Sequence, residues 1–249
     1  MKNAAAGVSS LSDIPQMSSP RVLAQHRTLP VVDELAGLFT DGGIRRGSTI
    51  EVTGVAAVSL ASALTIAVSR SGGWVAAVGL PMFGPSAASD LGIKLSRWAF
   101  VDDPGDQAGI VVDALTAGVD LILIGPDIKL RSGHGRKIVA RMRERGVSII
   151  TVGKAGFCSL RPDLCLRVSE AIWTGIELGH GRLTSRKLEI ERLGRGADSN
   201  IRRELVWLPN REGRLNAFDR KNKSVTFSRS SHRVSKRLFG VDEPVSWAS

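Results

Sequence analysis

Apolar positions along this chain follow two periods, and the switching between them outlines the fold. Residues 49–52 form a short apolar run rich in β-branched side chains, and Gly54 and a small-residue loop follow it. A helical run then covers residues 60–70. Strand, tight loop and helix in that order mark the unit around which the chain is organised. Before it, residues 31–39 place apolar side chains at helical spacing, and Asp41-Gly42-Gly43 ends that run.

After it, residues 74–78 predict a second strand, 86–91 a short helix closed by Gly92, and 98–101 a third strand. Residues 107–117 repeat apolar positions at helical spacing and stop at Gly118. Residues 119–124, apolar except at Asp120, show the pattern of a strand buried on both faces of a parallel sheet. Residues 136–145 make an amphipathic basic helix stopped by Gly146, and 147–152 the next buried strand. Beyond Gly153 the helices cease, and residues 164–176, 187–195 and 204–209 read as consecutive strands.

The expectation is an α/β fold. A mostly parallel sheet carries helices on both faces, antiparallel strands extend it toward the C-terminal side, and a basic tail follows. The division expected is a flexible segment over residues 1–28, one domain over 29–209, and a basic, largely disordered stretch over 210–249.

Charge sharpens this picture. The net charge is +10, and residues 182–237 hold 16 of the 34 basic side chains against 6 of the 24 acidic ones. The rest of the chain balances to zero, so the excess sits in the C-terminal quarter, where it suits phosphate backbones or acidic partner surfaces. No apolar run is long enough to span a bilayer, and residues 1–15 lack the apolar core of a secretory signal, so a cytoplasmic protein is expected. Cys158 and Cys165 have no recognised zinc spacing; reduced thiols are the expected reading, with a redox pair as the alternative.

The loop after the first strand is where chemistry would be sought. A phosphate-binding loop runs Gly, four residues, Gly, Lys, Ser or Thr; its N–H groups and lysine hold phosphate, and its hydroxyl holds magnesium. On that frame Gly54 matches the first glycine, but Ser59 replaces the second, Leu60 the lysine and Ala61 the hydroxyl. Ser62 offers a hydroxyl one place late. The loop is either a phosphate site that kept its fold and lost its ligand, or an ordinary strand-to-helix turn.

Over about residues 29–208 the chain resembles a RecA-type recombinase core. The matching segments are GGIRRGSTIEVTG at 42–54, DLGIKLSRWAFVDDPGDQAGIVVDAL at 90–115, and GVDLILIGP at 118–126, where that family has its Walker B strand. The departures fall on the family's chemical positions. Besides Leu60 and Ala61, Gly79-Leu80-Pro81-Met82 stands where the catalytic glutamate belongs, and Gly125-Pro126 where the metal-binding aspartate belongs. The glutamine that senses nucleotide corresponds to about Gly153, and the DNA-binding loop is shortened to residues 154–162.

The resemblance thus implies a RecA-like pseudoenzyme with no catalytic residues, no cofactor and no metal site. Within that group the chain is most similar to the ImuA-type proteins of actinobacteria. That likeness implies a role in damage-induced mutagenesis and translesion DNA synthesis, cytoplasmic or on the nucleoid. The implied partners are ImuB, an inactive Y-family polymerase relative, and through it an error-prone C-family DNA polymerase. DNA and RecA are further candidate partners, and a working ATPase with a non-standard site is the remaining class.

The candidate partner contacts are Lys236, Arg237, Leu238, Phe239, Val241 and Trp247, where apolar anchors close the basic tail. Candidate DNA or partner contacts are Arg136, Lys137 and Arg141 on the basic helix, with Arg202, Arg203, Arg220, Lys221 and Lys223. A solvated helix face is the plainer reading of the first three. Asp102, Asp103 and Asp106 are expected to cap a helix rather than bind metal. His134, between two glycines, is expected in a loop.

Overall fold

A computed structural model describes residues 27–130, 132–153, 160–177, 180–194 and 202–218. The strands are β1 (Thr28–Pro30), β2 (Gly43–Arg45), β3 (Thr49–Gly54), β4 (Val75–Val78), β5 (Trp98–Val101) and β6 (Leu121–Ile124). They continue with β7 (Ser148–Val152), β8 (Leu164–Glu177), β9 (His180–Gly194), β10 (Arg202–Trp207) and β11 (Asn216–Ala217). The helices are α1 (Asp33–Ala36), α2 (Ala57–Leu64), α3 (Ile66–Arg70), α4 (Pro85–Asp90), α5 (Ala108–Leu115) and α6 (Ser132–Arg145).

Nine strands form one sheet in the order β11-β10-β9-β8-β3-β7-β6-β4-β5. From β8 to β5 every pairing is parallel, and β9, β10 and β11 add on antiparallel. The fold class read from hydrophobic period is therefore the observed one. Residues of β4, β6 and β7 are buried at every position, as continuous apolar runs between two helical layers must be. One apolar cluster includes Leu60, Leu64, Val75, Leu121 and Ile150; the other, on the opposite face, includes Val112, Ile122, Ile138 and Ile149.

Several boundaries differ from expectation, for local reasons. The expected helix over 60–70 begins earlier, at Ala57, and breaks at Thr65, whose hydroxyl donates to the Ser62 carbonyl at 2.7 Å. The strand expected over 187–195 is the second half of a long hairpin with β8. Gly175 and Gly181, both at positive φ, stand beside its turn. The small antiparallel sheet of β1 with β2 was not foreseen.

The fold also runs past the boundary drawn at residue 209. β11 pairs with β10, and Leu215 is buried against the first apolar cluster. Two residues of strand among charges carry too little periodicity to be read from sequence.

The sheet holds Arg192 and Arg203 of the charge-rich quarter, together with Arg167 of β8. On the outer face of β8–β10, Arg167 and Arg203 both pair with Glu191, and Arg203 approaches Glu189 at 3.9 Å. The hydrogen bond from Arg167, then the two guanidinium charges, hold the Glu191 carboxyl below its usual range against the opposing effect of burial. Arg192 is buried in the sheet and donates to the Thr40 hydroxyl at 3.1 Å.

β6 lies between β4 and β7 and is sealed by helices on both sides. Ile122→Asp would bury a carboxylate among Val112, Ile138 and Ile149 without a partner. We expect a loss of more than about 4 kcal/mol and an unfolded or insoluble product. An unchanged melting temperature would show that β6 is not central.

Candidate functional site

The C-terminal ends of β3, β4 and β6 are where an α/β sheet of this winding presents ligand-binding groups. In a phosphate-binding loop, several residues separate strand from helix so that backbone N–H groups can encircle an anion. Here only Val55 and Ala56 separate β3 from α2. The helix therefore starts three residues before the position of the lysine and turns that position inward.

Leu60 is fully buried, as is Ala61. Both belong to the main apolar cluster, beside Leu64 and Val52. The hydroxyl of Ser62 donates to the Val58 carbonyl within the helix at 2.8 Å, so the late hydroxyl is turned back on its own backbone. Gly54 has its own structural cause. Its φ is 100°, and a Cβ there would collide with the Val168 backbone of β8, which pairs with it in parallel register.

The two missing carboxylates have a shared explanation. Gly79 follows β4, Gly125 follows β6, and the Gly125 amide donates to the Val78 carbonyl at 2.8 Å. A Cβ on Gly125 would overlap the Gly79 carbonyl oxygen, and one on Gly79 would strike the Ile128 side chain. The backbones occupy the space in which a metal-binding aspartate and a catalytic base would project. Leu80 is buried, Met82 is 82% exposed, and Asp127 stands exposed beyond the turn. Among the described residues no group of three or more His, Cys, Asp or Glu could hold a metal ion.

The other singled-out residues scatter. The Asp103 carboxylate accepts from the Gly105 amide at 3.0 Å, which caps a turn; no side chain caps α5. His134 stands on α6, not in a loop, and packs over Gly109 of α5. Cys165 donates from its thiol to Glu51 at 3.4 Å, while Cys158 and residues 154–159 of the shortened loop lie outside the described residues.

Of the basic helix, Arg136 and Lys137 are exposed, but Arg141 pairs with Asp113 and ties α6 to α5. Arg202 donates to the Gly37 carbonyl at 3.2 Å, and Arg203 belongs to the Glu191 cluster, so each of these three also makes a contact within the fold. Arg220, Lys221, Lys223, Lys236, Arg237, Leu238, Phe239, Val241 and Trp247 lie outside the described residues.

The structure adds a cavity that sequence reading missed. It holds about 270 Å³ and is lined by Ser59, Ala87, Leu91, Trp173, Arg186 and Leu208, with Asp90, Pro209 and Gly213 at its walls. Ser59, the stand-in for the second glycine, thus borders a mainly apolar recess. Arg186 reaches into it from β9; its Nε donates to the Leu208 carbonyl at 2.8 Å, and its guanidinium lies 4.8 Å from the Trp173 ring centre. Burial lowers the Arg186 pKa from the ordinary arginine value. Only the β8–β9 register, which sets Trp173 opposite Arg186, brings these residues together.

The sheet order, the strand-to-helix turn after β3 and the helices on both faces define a RecA-like α/β protein. The crystal structure of the RadB recombinase shares this fold at a TM-score of 0.50 and 14% identity, over 72% of this chain and 94% of that one. The MT3502 N-terminal domain matches residues 37–156. The uncharacterized protein Rv3395c of Mycobacterium tuberculosis (strain ATCC 25618 / H37Rv) is 31% identical over 143 residues, which is 55% of this chain and 70% of the relative. The chain belongs to the family of Rv3395c and carries the MT3502 N-terminal domain. Among the described residues no helix is long and apolar enough to cross a membrane.

Restoring the lysine should harm rather than repair. Leu60→Lys would place an ammonium group in the core without a partner. We expect a loss of about 3 kcal/mol or more, read as a melting temperature lowered by several degrees. A variant as stable as the parent would mean that this side chain can swing out to the strand ends, contrary to the packing described.

Proposed function

We propose that this chain is a RecA-like adaptor that acts by contact rather than by nucleotide chemistry. The observation that carries the reading is the coincidence of three losses at one place. The lysine position is a core leucine, and the stretches where base and metal carboxylate belong, Gly79-Leu80-Pro81-Met82 and Gly125-Pro126, hold no carboxylate and begin with glycines whose backbones touch. Phosphoryl transfer depends on positioning and charge stabilisation by those groups, so their joint loss leaves no component of the reaction in place. A protein of this fold without that chemistry must work through its surfaces.

The finer role follows the ImuA-type resemblance of segments 42–54, 90–115 and 118–126. In this reading the chain is an accessory factor of damage-induced mutagenesis. It binds ImuB directly and an error-prone C-family DNA polymerase through it. The tail makes the contact, with Leu238, Phe239, Val241 and Trp247 as apolar anchors and Lys236 and Arg237 as steering charges. The second reading is direct DNA binding. It is favoured by the exposed Arg136 and Lys137 and by the cations of residues 220–237.

The last strand among the described residues ends at Ala217 and the last described residue is Phe218, which sets where to cut. A chain ending at Phe218 should keep its melting temperature within about 2–3 °C of the parent. It should lose binding to purified ImuB by more than about a hundredfold, and Phe239→Ala with Trp247→Ala should reproduce most of that loss. Full affinity in the shortened chain would overturn the tail contact. Loss of oligonucleotide binding with intact ImuB binding would favour the DNA reading.

A further inference from the structure

The cavity between α4, β9 and the turn at Leu208–Gly213 combines an apolar lining with one arginine. Ala87, Leu91, Leu208 and Trp173 make an apolar surface, and Arg186 supplies one cation at its edge. The Arg186 Nε is held by the Leu208 carbonyl, while its two outer nitrogens take no hydrogen-bond or ion-pair partner among the described residues. A partly desolvated guanidinium with open donors against an apolar wall selects a carboxylate flanked by apolar side chains. Asp90 also lines the cavity, so a carboxylate is favoured only where it meets the Arg186 guanidinium.

The chain itself carries a segment of that description. Residues 238–247 read LFGVDEPVSW. Asp242 and Glu243 are the only carboxylate side chains between residues 220 and 249, and they sit inside the only cluster of large apolar residues there. The attachment point is close, because the cavity wall includes Gly213 and the last described residue is Phe218. From Phe218 to Val241 the chain can extend to at most about 75 Å, which is ample to fold back across the domain.

We propose that residues 239–247 of this chain dock in cis into this cavity, with Asp242 or Glu243 on Arg186 and Val241 against Leu91 and Leu208. Tethering raises the local concentration of the segment to roughly the millimolar range, so a weak intrinsic contact suffices. The docked state shields the same apolar side chains that the adaptor reading assigns to a partner. A partner must therefore displace the segment, and the free protein does not expose it. The inference goes beyond that reading and stands without it, because its test contains no partner.

The test is amide hydrogen exchange on the full-length chain alone. Amides of residues 240–243, 245 and 246 should exchange at least about tenfold more slowly than in the free peptide of the same sequence. Protection should persist on dilution, and it should be lost in Arg186→Gln and in Asp242→Asn with Glu243→Gln. Arg186→Lys, which keeps the charge, should retain part of it. The tail double variant leaves the described domain untouched and so reports on docking even if an Arg186 variant folds poorly. Free-peptide exchange rates in the parent chain would overturn the proposal. So would protection that disappears on dilution, which would mean docking into a second copy, or protection insensitive to both sets of charge changes.

Discussion

The contact between the backbones of Gly79 and Gly125 governs what this sheet can and cannot do. β4 and β6 are paired in parallel, and their ends stay together through the Gly125 amide and the Val78 carbonyl. Glycine at both ends lets the two chains continue side by side where other proteins of this winding open a crevice for ligand. A third closure stands at the end of β3, where Gly54 fits beneath the Val168 carbonyl and α2 begins three residues later. In the adaptor reading we propose, these same features leave a nucleotide without the space, the charge and the backbone donors it would need.

Function on this account moves outward from the sheet ends. The antiparallel strands β9, β10 and β11 broaden the domain, and Arg203 of β10 is held between Glu189 and Glu191 of β9. What remains is a recess with one half-committed arginine and a long basic segment that ends in an acidic, apolar cluster. Both suit recognition of protein segments. The parallel core supplies rigidity, since two apolar layers seal β4, β6 and β7 on both faces.

Much of this was legible in the sequence because hydrophobic period carries it. Runs such as Leu121–Ile124 and Ser148–Val152 can only be buried strands, and the alternation with helices implies parallel pairing. The lost lysine was equally plain at Leu60. The reason why no carboxylate fits at Gly125 was not, since it depends on a neighbouring strand's carbonyl. Arg141, Arg202 and Arg203 were read as available cations because charge is visible in sequence and its partner is not. Arg186 escaped notice for the converse reason: its surroundings arise from the β8–β9 register and from a turn more than twenty residues away. Two-residue strands such as β11 lie below what any periodicity can report.

The central claim is that the strand ends are closed to nucleotide, and calorimetric titration of the full-length chain with Mg-ATP tests it most directly. The account predicts no saturable heat up to ligand concentrations on the order of 1 mM, and no phosphate release. Binding with a dissociation constant near 1 μM, accompanied by hydrolysis, would contradict it.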